Sequence, residues 1–127
     1  MTKIYKLDKI KPAKLSDKEL FQKCRLYGLN ARLWLRQFAA LLPEVYRRRL
    51  YKRRNCASIH EFAHKLAGMN QATVNKILYL AEKLKDKPAL LELFESGEEG
   101  WSKLEIVAFI ANPDTDEAWT EKVRNLS

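Results

Sequence analysis

Residues 58–84 read SIHEFAHKLAGMNQATVNKILYLAEKL (Ser58–Leu84), and they spell two helices with a turn between them. Ser58 and Glu61 have the S-x-x-E spacing of a capping box, in which the Ser oxygen and the Glu carboxylate each take an orphan N–H of the first turn. Gly68 stops the first helix, because glycine enters the left-handed region without steric cost. Asn70 can cap the second. There Val74, Ile77, Leu78, Ala81 and Leu84 recur at i, i+3, i+4, i+7 and i+10, which is helical periodicity. Ala63, Ala67, Met69, Val74 and Ile77 are small or apolar, as two closely crossing helices require. The layout is that of a helix-turn-helix. Facing outward on the second helix are Asn70, Gln71, Ala72, Asn75, Lys76 and Tyr79. Asn and Gln can bond adenine through two hydrogen bonds, and Lys can bond guanine or phosphate. The base-reading candidates are therefore Asn70, Gln71, Asn75, Lys76 and Tyr79. The plain alternative is an ordinary helical hairpin in a core, and His64 stands where a small residue is usual.

Working outward, the same punctuation continues. Ser16 and Glu19 form another capping box, opening a helix to about Tyr27 with Gly28 as its stop. Asn30 can cap a second helix whose apolar side is Leu33, Trp34, Phe38, Leu41 and Leu42. Pro43 suits the first turn of a third, Glu44 to about Arg53. Pro88 to Glu95 reads as a short helix closed by Gly97. Ser102 and Glu105 form a third box, opening a helix to about Ala111 that Asn112-Pro113 breaks. A last helix starts at Asp114 or Thr115. No stretch alternates with period 2. The expected fold is all-α, a compact bundle of seven or eight short helices containing the helix-turn-helix. Residues 1–14 are a lysine-rich N-terminal arm, and residues 15–127 form a single helical domain. Trp34, Trp101 and Trp119 are expected as core anchors.

Composition narrows the function. Of the 127 residues 46% are hydrophobic, enough for a core and too many for a disordered chain. No stretch approaches the roughly 18 apolar residues of a membrane span. The basic N-terminus is not followed by the apolar region of a secretory signal. Cys24 and Cys56 are too few for a disulfide framework and read as free thiols. Together these features predict a cytoplasmic protein with no membrane partner. The net charge of +8 favours an anionic partner, most simply double-stranded DNA. That charge is polarised: residues 1–54 hold 16 basic and 4 acidic side chains, and residues 55–127 hold 8 and 12. Arg47, Arg48, Arg49, Lys52, Arg53 and Arg54 put six cations into eight residues and are the phosphate-binding candidates. Three successive arginines span most of a helix circumference, so they cannot all share one face. The alternative is a solvated helix end, where cations suit the dipole. The acidic run Glu92, Glu95, Glu98 and Glu99 is a solvated face, or a surface that pairs with the basic half in a homodimer.

His60-Glu61-Phe62-Ala63-His64 matches H-E-x-x-H. In that chemistry two His at i and i+4 ligate zinc while Glu activates the bound water. A third ligand is needed and no further His exists; Glu82, Glu92 and Glu95 have no recognisable ligand spacing. Glu61 already has a role in the capping box. No catalytic residue, metal or cofactor is therefore expected. A protein-interaction or oligomerisation module remains as the second alternative, and a minimal zinc metalloprotease as the third.

The residues LSDKEL, LLPEVYRRRLY (Leu41–Tyr51), CASIHEFAHKLAGM (Cys56–Met69) and GWSKLEIVAFIANPDTDEAW (Gly100–Trp119) resemble the helical N-terminal region of bacterial HNH-endonuclease-type proteins. The layout of Ile59–Ala108 is similar to the helix-turn-helix of ParB-type partition proteins. The resemblance implies a DNA-binding helical domain, the N-terminal module of a longer nuclease-like or mobile-element protein. The chain holds no His-Asn-His motif, so nuclease activity does not carry over. The helix from Asn70 is also poorer in arginine than such relatives, which shifts weight to the basic run.

Overall fold

The computed structural model describes residues 9–126. Among the described residues the chain is all-α and has no strand. A single 3₁₀ turn, Pro12–Lys14, precedes seven helices: α1 (Asp17–Arg48), α2 (Leu50–Arg53), α3 (Ile59–Ala67), α4 (Gln71–Leu84), α5 (Pro88–Ser96), α6 (Trp101–Ile110) and α7 (Asp116–Asn125). The chain falls into two units that divide at Ala31–Arg32, inside α1. The first eight residues of the expected arm lie outside the described residues.

The first unit is short and holds the start of α1. Its capping box forms in both directions: Glu19 N–H donates to Ser16 Oγ at 3.2 Å, and Ser16 N–H donates to Glu19 Oε1 at 2.9 Å. Those bonds fix where α1 starts and hold the Glu19 carboxyl below its ordinary range. None of residues 9–31 is buried.

The second unit holds the core. Leu42, Ile77, Leu80, Leu84, Leu90, Leu93, Phe94 and Leu104 are each almost wholly enclosed. Helix α4 is bordered by α3, α5 and α6, and α7 packs on α5. One polar group locks that last pair. Asp116, 2% exposed, accepts from the Ala89 and Leu90 N–H groups at 2.8 and 2.9 Å. A carboxylate from α7 thereby caps the start of α5, whose own N-cap Lys87 offers no acceptor. Gly97 closes α5 at φ 78°, and a Cβ there would come within 3.0 Å of Gln37 Cγ. Arg36 donates to the Gly97 and Glu98 carbonyls, both at 3.4 Å, so α1 sits tightly on this loop.

Four expected boundaries move or vanish. The first two helices and much of the third are one, because α1 continues through Gly28, Asn30 and Pro43. Interior glycine and proline cost roughly 1 and 3 kcal/mol. Burial of Ala39 and Leu42, with Phe38 packed on the core, offsets the proline. The third helix then stops at Arg48 and not at Arg53. The box expected at Ser102 does not form: α6 starts at Trp101 with Gly100 as N-cap, Ser102 lies within the first turn, and Glu105 reaches Lys76 instead. Of the three tryptophans, Trp101 and Trp119 pack on the core, but Trp34 is 52% exposed.

Candidate nucleic-acid interface

The α3–α4 pair forms where the sequence punctuates it. Ser58 Oγ accepts from Glu61 N–H at 3.1 Å, while the Glu61 carboxylate takes the Ala57 N–H at 2.6 Å, one residue before the cap. Gly68 is left-handed at φ 66°, and the Gly68 and Met69 N–H groups fold back onto the His64 and Ala63 carbonyls. Asn70 Oδ1 accepts from Thr73 N–H at 2.8 Å and starts α4. Met69 is buried within the turn, and Ala63, Val74 and Ile77 have no exposed surface. Ala67, expected at the same crossing, faces solvent instead.

Seen from outside, α4 presents Gln71, Ala72, Asn75 and Tyr79. The five base-reading candidates differ in how far they are already engaged. Asn70 uses its side-chain oxygen as the cap. Asn75 Oδ1 lies 2.7 Å from His60 Nε2, a bond across the turn in which the amide oxygen accepts. Lys76 is half-buried with Nζ 3.7 Å from Glu105. Tyr79 lies beneath the Lys83 ammonium, 5.6 Å from the ring centroid. Among the described residues the Gln71 amide and the Tyr79 hydroxyl have no hydrogen-bond partner. His60 was not foreseen as a positioning residue for Asn75. The two lie 15 residues apart, a spacing that carries no periodic signal.

The six cations are not one helical stripe. Helix α1 ends at Arg48, Arg49 turns the chain left-handed at φ 54°, and Asn55 does so again at φ 63°. Between them lies the single turn α2 with Lys52 and Arg53. Glu44 binds both Arg47 and Arg48. Hydrogen bonds from Arg47 and then Arg48 pull its carboxyl down to about 2, so it stays anionic. The spacing Glu44–Arg47–Arg48 is i, i+3 and i+4, a pairing the sequence makes legible. Arg49, Lys52, Arg53 and Arg54 are exposed, with no carboxylate partner among the described residues.

An open groove of about 750 Å³ brings the end of α1 beside α4. Tyr46 and Arg47 line one wall and Tyr79 and Lys85 the other, so an anchoring candidate and a reading candidate share one surface. Glu44, Glu82 and Glu95 line it as well. The groove is therefore mixed in charge, and the unpaired cations stand past it, at the Arg49 corner and on α2.

The H-E-x-x-H residues are engaged differently from a zinc site. His60 is tied to Asn75, and His64 is exposed. Glu61 binds the Ala57 N–H and, at 3.1 Å, Lys65; these contacts hold its carboxyl below the ordinary range, the backbone bond most. Among the described residues no three His, Cys, Asp or Glu side chains gather to hold a metal ion. Cys56 is buried and Cys24 exposed, both as free thiols. No helix among the described residues is long and apolar enough to cross a membrane. No protein-family model, curated protein or solved structure matches the chain.

Proposed function

We propose that this chain is a double-stranded-DNA-binding helix-turn-helix domain, the N-terminal module of a nuclease-like or mobile-element protein. In this reading α4 enters the major groove, and the cations from Arg47 to Arg54 hold the flanking phosphates. The observation that carries it is the groove shared by Arg47 and Tyr79, together with the four exposed cations that follow Arg48 in the chain and have no carboxylate partner among the described residues. Gln71 is the first reader, being exposed on the first turn of α4 with its amide uncommitted. Asn75 reads second, its oxygen oriented by His60 while the amide N–H₂ remains available.

Glu44 tempers the anchor by neutralising part of Arg47 and Arg48. A salt titration of binding to random duplexes tests the reading, since each phosphate contact releases counterion and steepens the salt slope. Affinity should fall steeply with salt. The R47A/R48A/R49A variant should weaken binding to all sequences alike and flatten that slope. Gln71→Ala should change sequence preference at an unchanged slope. Binding that is absent, or insensitive to salt, would refute the proposal.

A further inference from the structure

Helix α6 ends in an unbroken apolar run, Ile106 to Ile110, a composition that suits a helix end buried on every side. Only half of it is covered. Leu104, Val107 and Ala108 enter the core, while Ile106, Phe109 and Ile110 stand in solvent, Phe109 at 83% exposure. These three lie at i, i+3 and i+4 and form one face. The start of α1 has the complementary surplus. Leu20, Phe21, Cys24, Tyr27 and Ala31 lie on one side of the helix at i, i+1, i+4, i+7 and i+11, and Phe21 is 67% exposed. Gly28 lies on that same side. A Cβ there would meet nothing within 4 Å, so nothing in its own surroundings demands a glycine. A mid-helix glycine costs roughly 1 kcal/mol against alanine, and the space it leaves admits the close approach of another body.

We propose that the Lys9–Ala31 segment of one copy packs on the Ile106, Phe109 and Ile110 face of α6 in a second copy, with Phe109 seated at the Gly28 notch. Charge selects this occupant. Residues 9–31 carry six basic and two acidic side chains, and residues 98–126 carry three basic and seven acidic. Of those seven carboxylates only Asp116 is buried. Two α1 segments repel each other, as do two α6 regions, whereas one of each attracts. The contact is therefore head-to-tail, and an open assembly keeps one unused α1 surface and one unused α6 surface until a ring closes. It does not depend on DNA binding, because neither Phe21 nor Phe109 is among the proposed DNA contacts.

Sedimentation of the full chain without DNA tests it, over a range of protein concentration and at two salt concentrations. The mean mass should rise with concentration and fall with added salt. Phe21→Glu and Phe109→Lys should each weaken association at least about tenfold, as the loss of a central aromatic anchor does. Mixed together, the two variants should form a one-to-one dimer, since the first keeps an intact α6 and the second an intact α1. Gly28→Leu should retain or raise helix content by circular dichroism yet abolish association. A wild type that stays monomeric, a single variant that associates as tightly as the wild type, or a mixture that stays monomeric would each overturn the proposal. Both aromatic positions are exposed, and unchanged helicity of the variants separates lost contact from lost fold.

Discussion

The turn between α3 and α4 and the corner between α1 and α2 both redirect the chain through a left-handed residue. In the first it is Gly68 at φ 66°; in the second it is Arg49 at φ 54°. Glycine adopts that conformation without penalty, whereas an L side chain loses roughly 1–2 kcal/mol there. The α3–α4 turn therefore has the residue its backbone favours, and its neighbours agree: Ser58 and Asn70 cap, and Met69 fills the space below. The Arg49 corner keeps a cation at a steric cost. Strained positions of this kind collect at functional sites. The contrast teaches that the helix pair has residues suited to a fixed shape, whereas the corner holds a cation where the backbone favours glycine.

The largest effect falls on the core beneath the turn. Ile77 has no exposed surface and belongs to the core on which α4 packs. Ile77→Ala should cost about 3 kcal/mol, for the lost transfer energy and the cavity left behind. Denaturant melts would show it as a lower midpoint. A loss under about 1 kcal/mol would mean that the crossing relaxes, and the claim of fixed shape would fail.

Next comes the turn itself. Gly68→Ala should cost about 1–2 kcal/mol, even though no atom lies within 4 Å of the added Cβ, because the strain is in the backbone. Asn70→Ala should cost about 1 kcal/mol through the lost cap on Thr73 N–H, with Asn70→Gly costing only a few tenths. If the two Asn70 variants melted alike, the cap would not be what holds the start of α4.

These same positions explain what the sequence disclosed. From Ser58 to Leu84 it named both caps, the turn glycine and most of the buried side chains, since each is a local device acting within four residues. It misjudged α1. Gly28 and Pro43 are local stop signals as well, but burial of Ala39 and Leu42 rests on partners far along the chain and outweighs them. Trp34 was likewise misplaced: its apolar pattern suggested a core anchor, but its ring is half exposed. In the candidate interface the exposed cations and Gln71 were readable from charge and period. The His60–Asn75 bond was not, because it depends on how two helices cross. The left-handed Arg49 was equally hidden, since nothing in a run of arginines marks the one that turns.

Arg49→Gly gives the smallest shift and the sharpest test of the comparison. Relief of the strained backbone gains roughly 1–2 kcal/mol, and the greater freedom of glycine in the unfolded chain returns roughly 0.5–1. A net gain of about 0.5–1 kcal/mol in folding stability is expected. In the same variant the affinity for duplex DNA should drop several-fold, and the salt slope should shrink by about one phosphate contact. Opposite signs on the two readouts are what a residue kept for charge requires. Arg49→Lys separates the causes, because it retains the cation and the strain and should leave both readouts near wild type. If Arg49→Gly lowered stability, the corner would be holding the fold, and the distinction between the two turns would collapse.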